Sequence, residues 1–150
     1  MKRFRTAVVI GKFYPPHRGH KHLIDTASAD SEQVTIFVCE EPDESLSGEL
    51  RAAWLREIHS DALVQVVRSS LAHDDSAGWA RSTLDWLGYV PDAVFTSEPY
   101  GEAYARFMGS THVAVDPDRR SVPISGTAIR ASPLQHLDYL EPCVRAHFVK

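Results

Sequence analysis

Five short runs rich in β-branched residues alternate along the chain with longer segments whose apolar residues recur at helical spacing. Parallel strands need a long crossover between them, usually a helix, and such sheets are covered on both faces. The alternation therefore predicts an α/β, Rossmann-like fold with a doubly wound parallel sheet of about five strands. The predicted strands are TAVVIG at 6–11, QVTIFVC at 33–39, VQVV at 64–67, DAVFTS at 92–97 and HVAVD at 112–116.

Four apolar stripes predict the helices that cover this sheet. The stripes are Leu23, Ile24 and Ala27; Leu50, Trp54, Leu55 and Ile58; Ala80, Leu84 and Leu87; and Leu134, Leu137 and Leu140 in a helix from about Pro133. Pro142 should break or kink the last helix, because proline removes a backbone donor. Polar segments at 40–48, 73–78 and 116–123 are predicted loops. In open parallel sheets, ligands bind where loops leave the carboxyl ends of the strands.

Size and charge limit the classes of protein to which the chain can belong. With 150 residues, 43% of them hydrophobic, residues 1–150 are predicted to form a single domain. The net charge of −4 gives no broad basic surface for a nucleic acid. No segment approaches the roughly 20 apolar residues of a membrane helix, and the N-terminus does not read as a signal peptide. We therefore expect a cytoplasmic protein that binds neither nucleic acid nor membrane. Cys39 and Cys143 form no disulfide framework or zinc spacing and are predicted structural thiols.

The segment GKFYPPHRGH at 11–20 connects the first predicted strand to the first helix. Gly11 allows a ligand to approach the backbone, and the two prolines hold the chain extended. If the helix begins just after His17, then His17 and His20 lie on one side of its first turn. Free backbone N–H groups there favour an anion such as phosphate. The alternatives are ordinary polar residues at a helix start, or a zinc site that also uses His22.

The segment ISGTAIR at 124–130 opens the last helical region. Ser125 can cap the helix, Gly126 allows close approach, and Thr127 and Arg130 share one face at i and i+3. These features indicate a second anion site, and the alternative is a plain capped helix with a solvated arginine. Two helix starts with phosphate-type donors on one edge of a sheet are more informative than either alone.

Together the two segments resemble the H-x-G-H and I-S-x-T-x-I-R signatures of the nucleotidylyltransferase superfamily. VFTSEPYGEAYARFMG, VDPDRR and SGTAIRASP, in that order, narrow the resemblance to the nicotinamide mononucleotide (NMN) adenylyltransferase domain of the bifunctional bacterial enzyme with a ribosylnicotinamide kinase. Archaeal adenylyltransferases are more distantly similar. The resemblance extends from about Val8 to Phe148. No kinase motif G-x-x-x-x-G-K-[ST] and no DNA-binding repressor segment occurs, so we expect a single-domain form without kinase or operator-binding activity.

The resemblance implies a reaction in which the 5′-phosphate of NMN attacks the α-phosphorus of ATP and gives NAD and pyrophosphate. Because the attacking phosphate is already ionised, catalysis needs positioning and charge stabilisation rather than a general base. The resemblance assigns catalysis to Lys12, His17, His20 and Arg130. It assigns ATP binding to Gly11, Phe13, His17, His20, Ser97, Glu98, Arg119, Ser125, Thr127 and Arg130. Mg²⁺ is expected to come with the ATP phosphates, with no metal site formed by the protein alone.

The resemblance assigns NMN binding to Lys12, Arg51 and Trp79. Trp79 lies about 100° around its helix from the apolar stripe, so its indole can face the ligand edge and stack on the electron-poor nicotinamide ring. The alternative is that Trp79 and Trp86 both close the core. Arg51 is a candidate for the substrate phosphate, or else an exposed arginine on a helix surface. Arg119 is a candidate for phosphate, or else part of a turn only.

Two other kinds of function remain open from the sequence. A transferase of the same fold could use nicotinic acid mononucleotide, phosphopantetheine, or a polyol phosphate with CTP. The last two usually show T-x-G-H and R-T-x-G-I-S-T signatures respectively, which differ from those of this chain. A non-catalytic nucleotide sensor would keep the loops without turnover, but the intact donors His17, His20, Ser125 and Arg130 count against it. A homo-oligomer is a further open possibility.

Overall fold

The structure, a computed structural model, describes residues 2–149. One sheet of five strands forms its centre, and every neighbouring pair of strands is parallel. The strands are β1 (Phe4–Gly11), β2 (Ser31–Glu40), β3 (Leu63–Arg68), β4 (Ala93–Thr96) and β5 (Thr111–Ala114), in the spatial order β3-β2-β1-β4-β5. The predicted doubly wound sheet of five strands is confirmed. The single domain over 1–150 stays a prediction, and its end residues Met1 and Lys150 lie outside the described residues.

Helices cover both faces of the sheet. They are α1 (Arg18–Asp30), α2 (Gly48–Ile58), α3 (Ser76–Leu87), α4 (Gly101–Met108), α5 (Gly126–Ala131) and α6 (Pro142–Phe148). Successive strand residues point to opposite faces, so one strand contributes to two cores. Val9 packs in a cluster with Ile24 of α1 and Leu55 of α2. Val8, the preceding residue, packs in a cluster that Leu87 of α3 borders.

Local capping explains where two of the helices begin and end. Helix α1 begins at Arg18, as predicted, because His17 caps it. Helix α3 begins at Ser76, where the Asp75 side chain accepts a hydrogen bond from Gly78 N–H. The predicted loop at 73–78 is therefore too long at its C-terminal end. Gly88, with φ of +80°, ends the helix in the left-handed conformation that glycine adopts without strain.

The C-terminal third of the chain differs most from the prediction. Helix α4 was not predicted, and the single helix predicted from about Pro133 is wrong. Two 3₁₀ turns, Pro133–Gln135 and Leu137–Tyr139, lie there instead. Pro142 begins α6 rather than breaking a helix, because the first turn of a helix has no use for the missing N–H. The segment is held by packing, since Leu140 is fully buried in a cluster with residues of α2.

The strand order reverses between β1 and β4, which are direct neighbours at the centre of the sheet. Loops that leave the carboxyl ends of these two strands diverge to opposite sides and open a crevice at that edge. The loop after β1 carries most of GKFYPPHRGH, and the loop after β4 carries the predicted residues Ser97 and Glu98, so the fold brings both loops to the crevice. Across residues 2–149, no helix combines the length and the apolar character needed to cross a membrane.

Candidate active site

Two neighbouring cavities open at the carboxyl end of β1. One, of about 270 Å³, is the histidine cavity, and its lining includes the predicted residues Gly11, Lys12, Phe13, His17, His20, Ser97, Glu98 and Arg119. The other, of about 160 Å³, is the tryptophan cavity, and its lining includes Trp79, Cys39, Glu40, Glu41 and Tyr104. The two share Ile10, Gly11, Lys12, His73 and Tyr100. A molecule in one cavity can therefore contact a molecule in the other across the end of β1.

The turn after β1 is held in a sparsely populated backbone conformation. Phe13 has φ of +51°, in the left-handed region that costs a non-glycine residue about 1–2 kcal/mol. Its buried ring meets the ring of His20 edge-on, with 4.8 Å between the centroids. Burial of the Phe13 ring holds the turn, and the turn leads the chain to the first residue of α1. Strain of this kind is found at ligand-binding sites.

His17 and His20 form a reciprocal cap at the start of α1. The His17 Nδ1 accepts hydrogen bonds from Gly19 N–H at 3.0 Å and His20 N–H at 3.4 Å. The His20 Nδ1 accepts from His17 N–H at 3.1 Å, and the two rings stack with centroids 3.7 Å apart. Because each Nδ1 accepts, each neutral ring carries its proton on Nε2. Both residues line the histidine cavity, and each neutral ring has Nε2–H as its donor.

Burial keeps both imidazoles uncharged at neutral pH. Desolvation, with a smaller contribution from the Arg119 charge, lowers the pKa of His17 to about 4. Desolvation, followed by the charges of His17 and Arg119, holds the pKa of His20 well below its ordinary value. Two stacked cationic rings would repel each other, whereas two neutral rings can lie at this distance. The site therefore offers the histidines as hydrogen-bond donors rather than as positive charges.

The depressed pKa of His17 predicts a loss of stability in mild acid. The unfolded chain takes up the proton near pH 6.5 and the folded chain only near pH 4, so stability is complete above pH 6.5 and falls as the pH drops through that window. Urea unfolding of the wild type and of His17→Asn measures the effect, because asparagine also caps helices but does not titrate there. The free energy of unfolding should fall more steeply in the wild type. If the free energy of unfolding fell equally with pH in the wild type and in His17→Asn, the prediction would be contradicted.

Lys12 lies between the two cavities and pairs with two carboxylates. Its Nζ is 2.8 Å from Glu41 Oε2 and 3.5 Å from Glu44 Oε2. Desolvation lowers the pKa of Lys12, but hydrogen bonds and charge from these glutamates outweigh it and raise the pKa overall. Lys12 is therefore a positive charge at the shared wall of the cavities, partly neutralised from the side of β2.

Arg51 is fully buried, with 0% of its surface exposed. The guanidinium donates to the backbone oxygens of Lys12 at 2.7 Å, Leu46 at 3.0 Å, and Ser47 and Cys39 at 3.2 Å. Its Nη2 also pairs with Glu44 Oε1 at 2.6 Å. The alternative that Arg51 is an exposed surface arginine is therefore wrong. Arg51 lines neither cavity, and it holds the turn after β1 to the start of α2. A contact with the NMN phosphate stays a prediction.

The DPDR segment, residues 116–119, contributes Asp116 and Arg119 to the lining of the histidine cavity. Arg119, with φ of +53°, lines that cavity and pairs with Glu98 at 3.4 Å, while its Nη1 donates to the Ile124 carbonyl. Asp116 orders the loop by accepting from the N–H groups of Arg120, Ser121 and Val122. Arg119 is therefore part of a turn and also a lining residue of the cavity.

Ile124 at the start of ISGTAIR lines the histidine cavity, whereas the predicted phosphate donors of this segment lie outside the lining of both cavities. The Ser125 side chain caps α5 by accepting from Ala128 N–H at 3.2 Å. The Arg130 guanidinium donates to the Tyr14 carbonyl at 2.6 Å and to Thr127 Oγ1 at 3.4 Å. Neither Ser125, Thr127 nor Arg130 lines a cavity in this conformation. Their contact with a triphosphate stays a prediction.

Trp79 faces the tryptophan cavity, as its position on the helix predicts. Its Nε1–H donates to the Ala72 carbonyl at 2.9 Å, and its ring meets the ring of Trp86 edge-on at 6.4 Å between centroids. Trp86 is partly buried and packs against a core cluster that contains Val8 and Phe37. Cys39 lines the same cavity, and burial raises the pKa of its thiol to about 12, so it is no nucleophile.

The sequence did not point to three residues that the structure brings to the site. Tyr14 contacts both Arg51 and Arg130, Glu44 pairs with both Lys12 and Arg51, and His73 lines both cavities. Only Tyr14 carried a signal, because it lies within the quoted segment. Glu44 and His73 lie in loops whose conformation depends on distant contacts. In the part of the chain that the structure covers, no group of three His, Cys, Asp or Glu side chains could hold a metal ion.

Known proteins share both sequence and fold with this chain. The sequence matches the cytidylyltransferase-like family over residues 8–132. It is 28% identical, over 95% of this chain and 40% of the relative, to the trifunctional NAD biosynthesis/regulator protein NadR of Escherichia coli K12. The fold matches a crystal structure of NadR protein in complex with NAD and AMP-PNP, with a TM-score of 0.65 and 18% identity over 93% of this chain and 45% of that chain.

A second solved structure has the same fold. It is a bifunctional NMN adenylyltransferase/ADP ribose pyrophosphatase from Francisella tularensis, complexed with AMP and a manganese ion. It matches with a TM-score of 0.57 and 17% identity, over 75% of this chain and 37% of that chain. The chain thus spans less than half the length of each of these relatives.

Proposed function

The chain belongs to the cytidylyltransferase-like family, and on that premise we propose that it is an adenylyltransferase that joins ATP and NMN to give NAD and pyrophosphate. The observation that carries the proposal is the pair of cavities that meet at Lys12, one with two neutral histidine donors and the other with an indole face. The sequence similarity to a protein named for NAD biosynthesis supports the choice of substrates.

The reaction places ATP in the histidine cavity and NMN in the tryptophan cavity. An oxygen of the NMN phosphate forms a bond to the ATP α-phosphorus, and the bond from that phosphorus to the bridging oxygen of pyrophosphate breaks. The negative charge moves from the attacking oxygen to the leaving group, so no proton needs to be removed by a base. Lys12, at the shared wall, is placed to neutralise the phosphates of both substrates. The Nε2–H groups of His17 and His20 stabilise the charge that develops on the transferred group.

Mg²⁺ would enter with ATP. The glutamates nearest Lys12 already form ion pairs with Lys12 and Arg51, so the donor set suits a metal carried by phosphate oxygens. When bound, the ion supplies neutralisation of phosphate charge. The side chains of this protein would hold the triphosphate around it, with Arg119 on the cavity lining and Arg130 beside it.

The charge of the tryptophan cavity favours NMN over nicotinic acid mononucleotide. The charged side chains of its lining are Lys12, Glu40 and Glu41, one more carboxylate than ammonium group. Lys12 pairs with Glu41, and Glu40 pairs with Arg68 outside the lining. An added carboxylate at a few ångströms from these acids costs about 1–4 kcal/mol. We expect kcat/KM for nicotinic acid mononucleotide to be at least about fivefold below that for NMN. Chromatography of both products measures the ratio.

Glu41→Gln tests the origin of this preference, because it removes one charge and keeps the shape of the side chain. In the variant, kcat/KM for nicotinic acid mononucleotide should come closer to kcat/KM for NMN. An unchanged ratio would assign the preference to other residues, and equal use of both substrates by the wild type would contradict it.

The decisive experiment mixes the purified chain with ATP, magnesium and NMN and follows NAD through a coupled alcohol dehydrogenase. Sustained NAD formation would support the proposal. A folded protein that binds ATP but uses neither mononucleotide would overturn it. The remaining candidates would then be a transferase for phosphopantetheine, a CTP-dependent transferase for a polyol phosphate, or a non-catalytic sensor. Pyrophosphate release with those acceptors would separate the first two from the sensor.

A further inference from the structure

We infer that Tyr14 is a positioning residue that holds the guanidinium of Arg130 in place for the ATP phosphates. The inference rests on the proposed binding of ATP in the histidine cavity. Tyr14 lies in the turn after β1, and Arg130 lies on α5, more than one hundred residues further along the chain. The Arg130 Cζ stands 4.5 Å from the centroid of the Tyr14 ring. This is the range in which a guanidinium is attracted to an aromatic face.

Tyr14 is held by hydrogen bonds both at its side-chain hydroxyl and at its backbone carbonyl. The hydroxyl accepts a hydrogen bond from Ser45 N–H at 2.7 Å and shares another with Ser45 Oγ at 2.6 Å. The carbonyl accepts from Arg130 Nη1 at 2.6 Å. Ring and backbone of one residue therefore both contact the same guanidinium. An arginine held in this way loses less side-chain freedom when a phosphate binds.

A second guanidinium supports the ring. The Arg51 Cζ is 5.1 Å from the Tyr14 centroid, and Arg51 is itself immobilised by backbone carbonyls and Glu44. Arg51 is fully buried, whereas Arg130 is exposed. The ring thus has a fixed contact with the buried arginine and a contact with an arginine that solvent and ligands can reach.

The start of α5 fits directly against Tyr14. A Cβ atom added at Gly126 would lie 2.8 Å from the Tyr14 carbonyl oxygen, closer than real Cβ atoms approach. Glycine at 126 therefore lets α5 pack on the turn after β1. The spacing keeps Arg130 within reach of the Tyr14 carbonyl. Tyr14 is thus a point of contact between the two segments that carry the predicted phosphate donors.

The test compares the affinity for Mg²⁺-AMP-PNP, by calorimetry, in a double-mutant cycle of Tyr14→Leu and Arg130→Ala. Tyr14→Leu should weaken binding about tenfold. It should add no further loss in the Arg130→Ala background, because Tyr14 acts through Arg130. Tyr14→Phe, which keeps the ring and loses only the hydroxyl, should stay within about threefold of the wild type. In turnover, Tyr14→Leu should raise the KM for ATP and leave the KM for NMN within about twofold.

Phe107→Leu is the matched control. Phe107 is an exposed ring with the guanidinium of Arg106 5.7 Å from its centroid, outside both cavities. Loss of that stack should leave the affinity for AMP-PNP unchanged. If Tyr14→Leu does not fold, Arg130→Lys keeps the charge and loses the planar stack, and it should weaken binding by a similar factor.

An equal loss from Tyr14→Leu with and without Arg130 would overturn the inference, since Tyr14 would then be only a packing residue. Wild-type affinity in either Tyr14→Leu or Arg130→Lys would also overturn it. A wild type that binds AMP-PNP but makes no NAD would contradict the NMN proposal alone, and the cycle would still decide the role of Tyr14. A wild type that binds no AMP-PNP would contradict both.

Discussion

Substitution of His20 by alanine will lower kcat about 100- to 1,000-fold, which corresponds to about 3–4 kcal/mol of lost transition-state stabilisation. The reason is that His20 supplies one of two neutral Nε2–H donors in the histidine cavity, and a donor aimed at developing charge acts mainly in the transition state. Affinity for ATP should change little, because Lys12, His17 and Arg119 still line the cavity. Steady-state kinetics and calorimetry with AMP-PNP measure the two effects separately.

His20→Gln is the informative companion to this variant. Glutamine keeps a neutral N–H donor and cannot be charged, so it should retain more activity than alanine if hydrogen-bond donation is what matters. If the two variants were equally inactive, a role for His20 as a neutral donor would be contradicted. Melting temperatures control for the capping contact, because His20 Nδ1 also accepts from His17 N–H. A wild-type protein without measurable turnover would support the alternative that the chain is a non-catalytic nucleotide sensor.

Arg51→Met will destabilise the folded protein by about 3–5 kcal/mol, the loss typical when one partner of a buried ion pair is removed. The Glu44 carboxylate would remain in a largely buried position without its guanidinium, and the carbonyls of Lys12 and Leu46 would lose a donor. Urea unfolding measures the change. A loss below about 1 kcal/mol would contradict the view that Arg51 holds this part of the structure together.

Glu44→Gln in the Arg51→Met background tests the cause. Removal of the Glu44 charge, which only Lys12 at 3.5 Å would then balance, should recover part of the lost stability. No recovery would assign the effect to the carbonyls instead. Arg56→Ala is the matched control on the same helix, because Arg56 is about half exposed and its carboxylate partner is 3.9 Å away. It should change stability by about 1 kcal/mol or less.

The sheet could be predicted from sequence because each strand carries a local signal. Val8 and Val9 belong to a run that alternates into two cores, and such runs are apolar throughout when both faces are covered. The start of α1 just after His17 was also predictable, because a helix start depends on residues within one turn. Helix α4 also carries a local signal that the prediction missed, because Tyr104, Ala105 and Met108 recur at helical spacing and Gly109 ends the helix in the left-handed conformation. The segment from Pro133 to Tyr139 depends instead on contacts distant in sequence, and the periodicity of Leu134, Leu137 and Leu140 suggested the wrong structure there.

The site residues also divide into those with a local sequence signal and those whose position depends on distant contacts. Residues of the turn after β1 line the histidine cavity as predicted, because the strand end fixes where they lie. Arg51 was ambiguous, because its burial depends on Glu44 and on carbonyls from three separate segments. No periodicity in the sequence encodes such a set of partners. The position of Arg130 beside Tyr14 was equally out of reach, since the two are far apart in the chain and meet only once α5 packs.

The shared wall of the two cavities has a consequence for inhibition. On the proposed assignment of ATP to the histidine cavity and NMN to the tryptophan cavity, a compound with an adenosine head and a pyridine nucleoside head, joined by a short polyphosphate linker, is expected to bind both cavities at once. Once one head is bound, the second experiences an effective concentration in the millimolar range for a linker that matches the span. Such a compound would exceed the affinity of either half without a new contact, and shortening or lengthening its linker would report the distance between the two subsites.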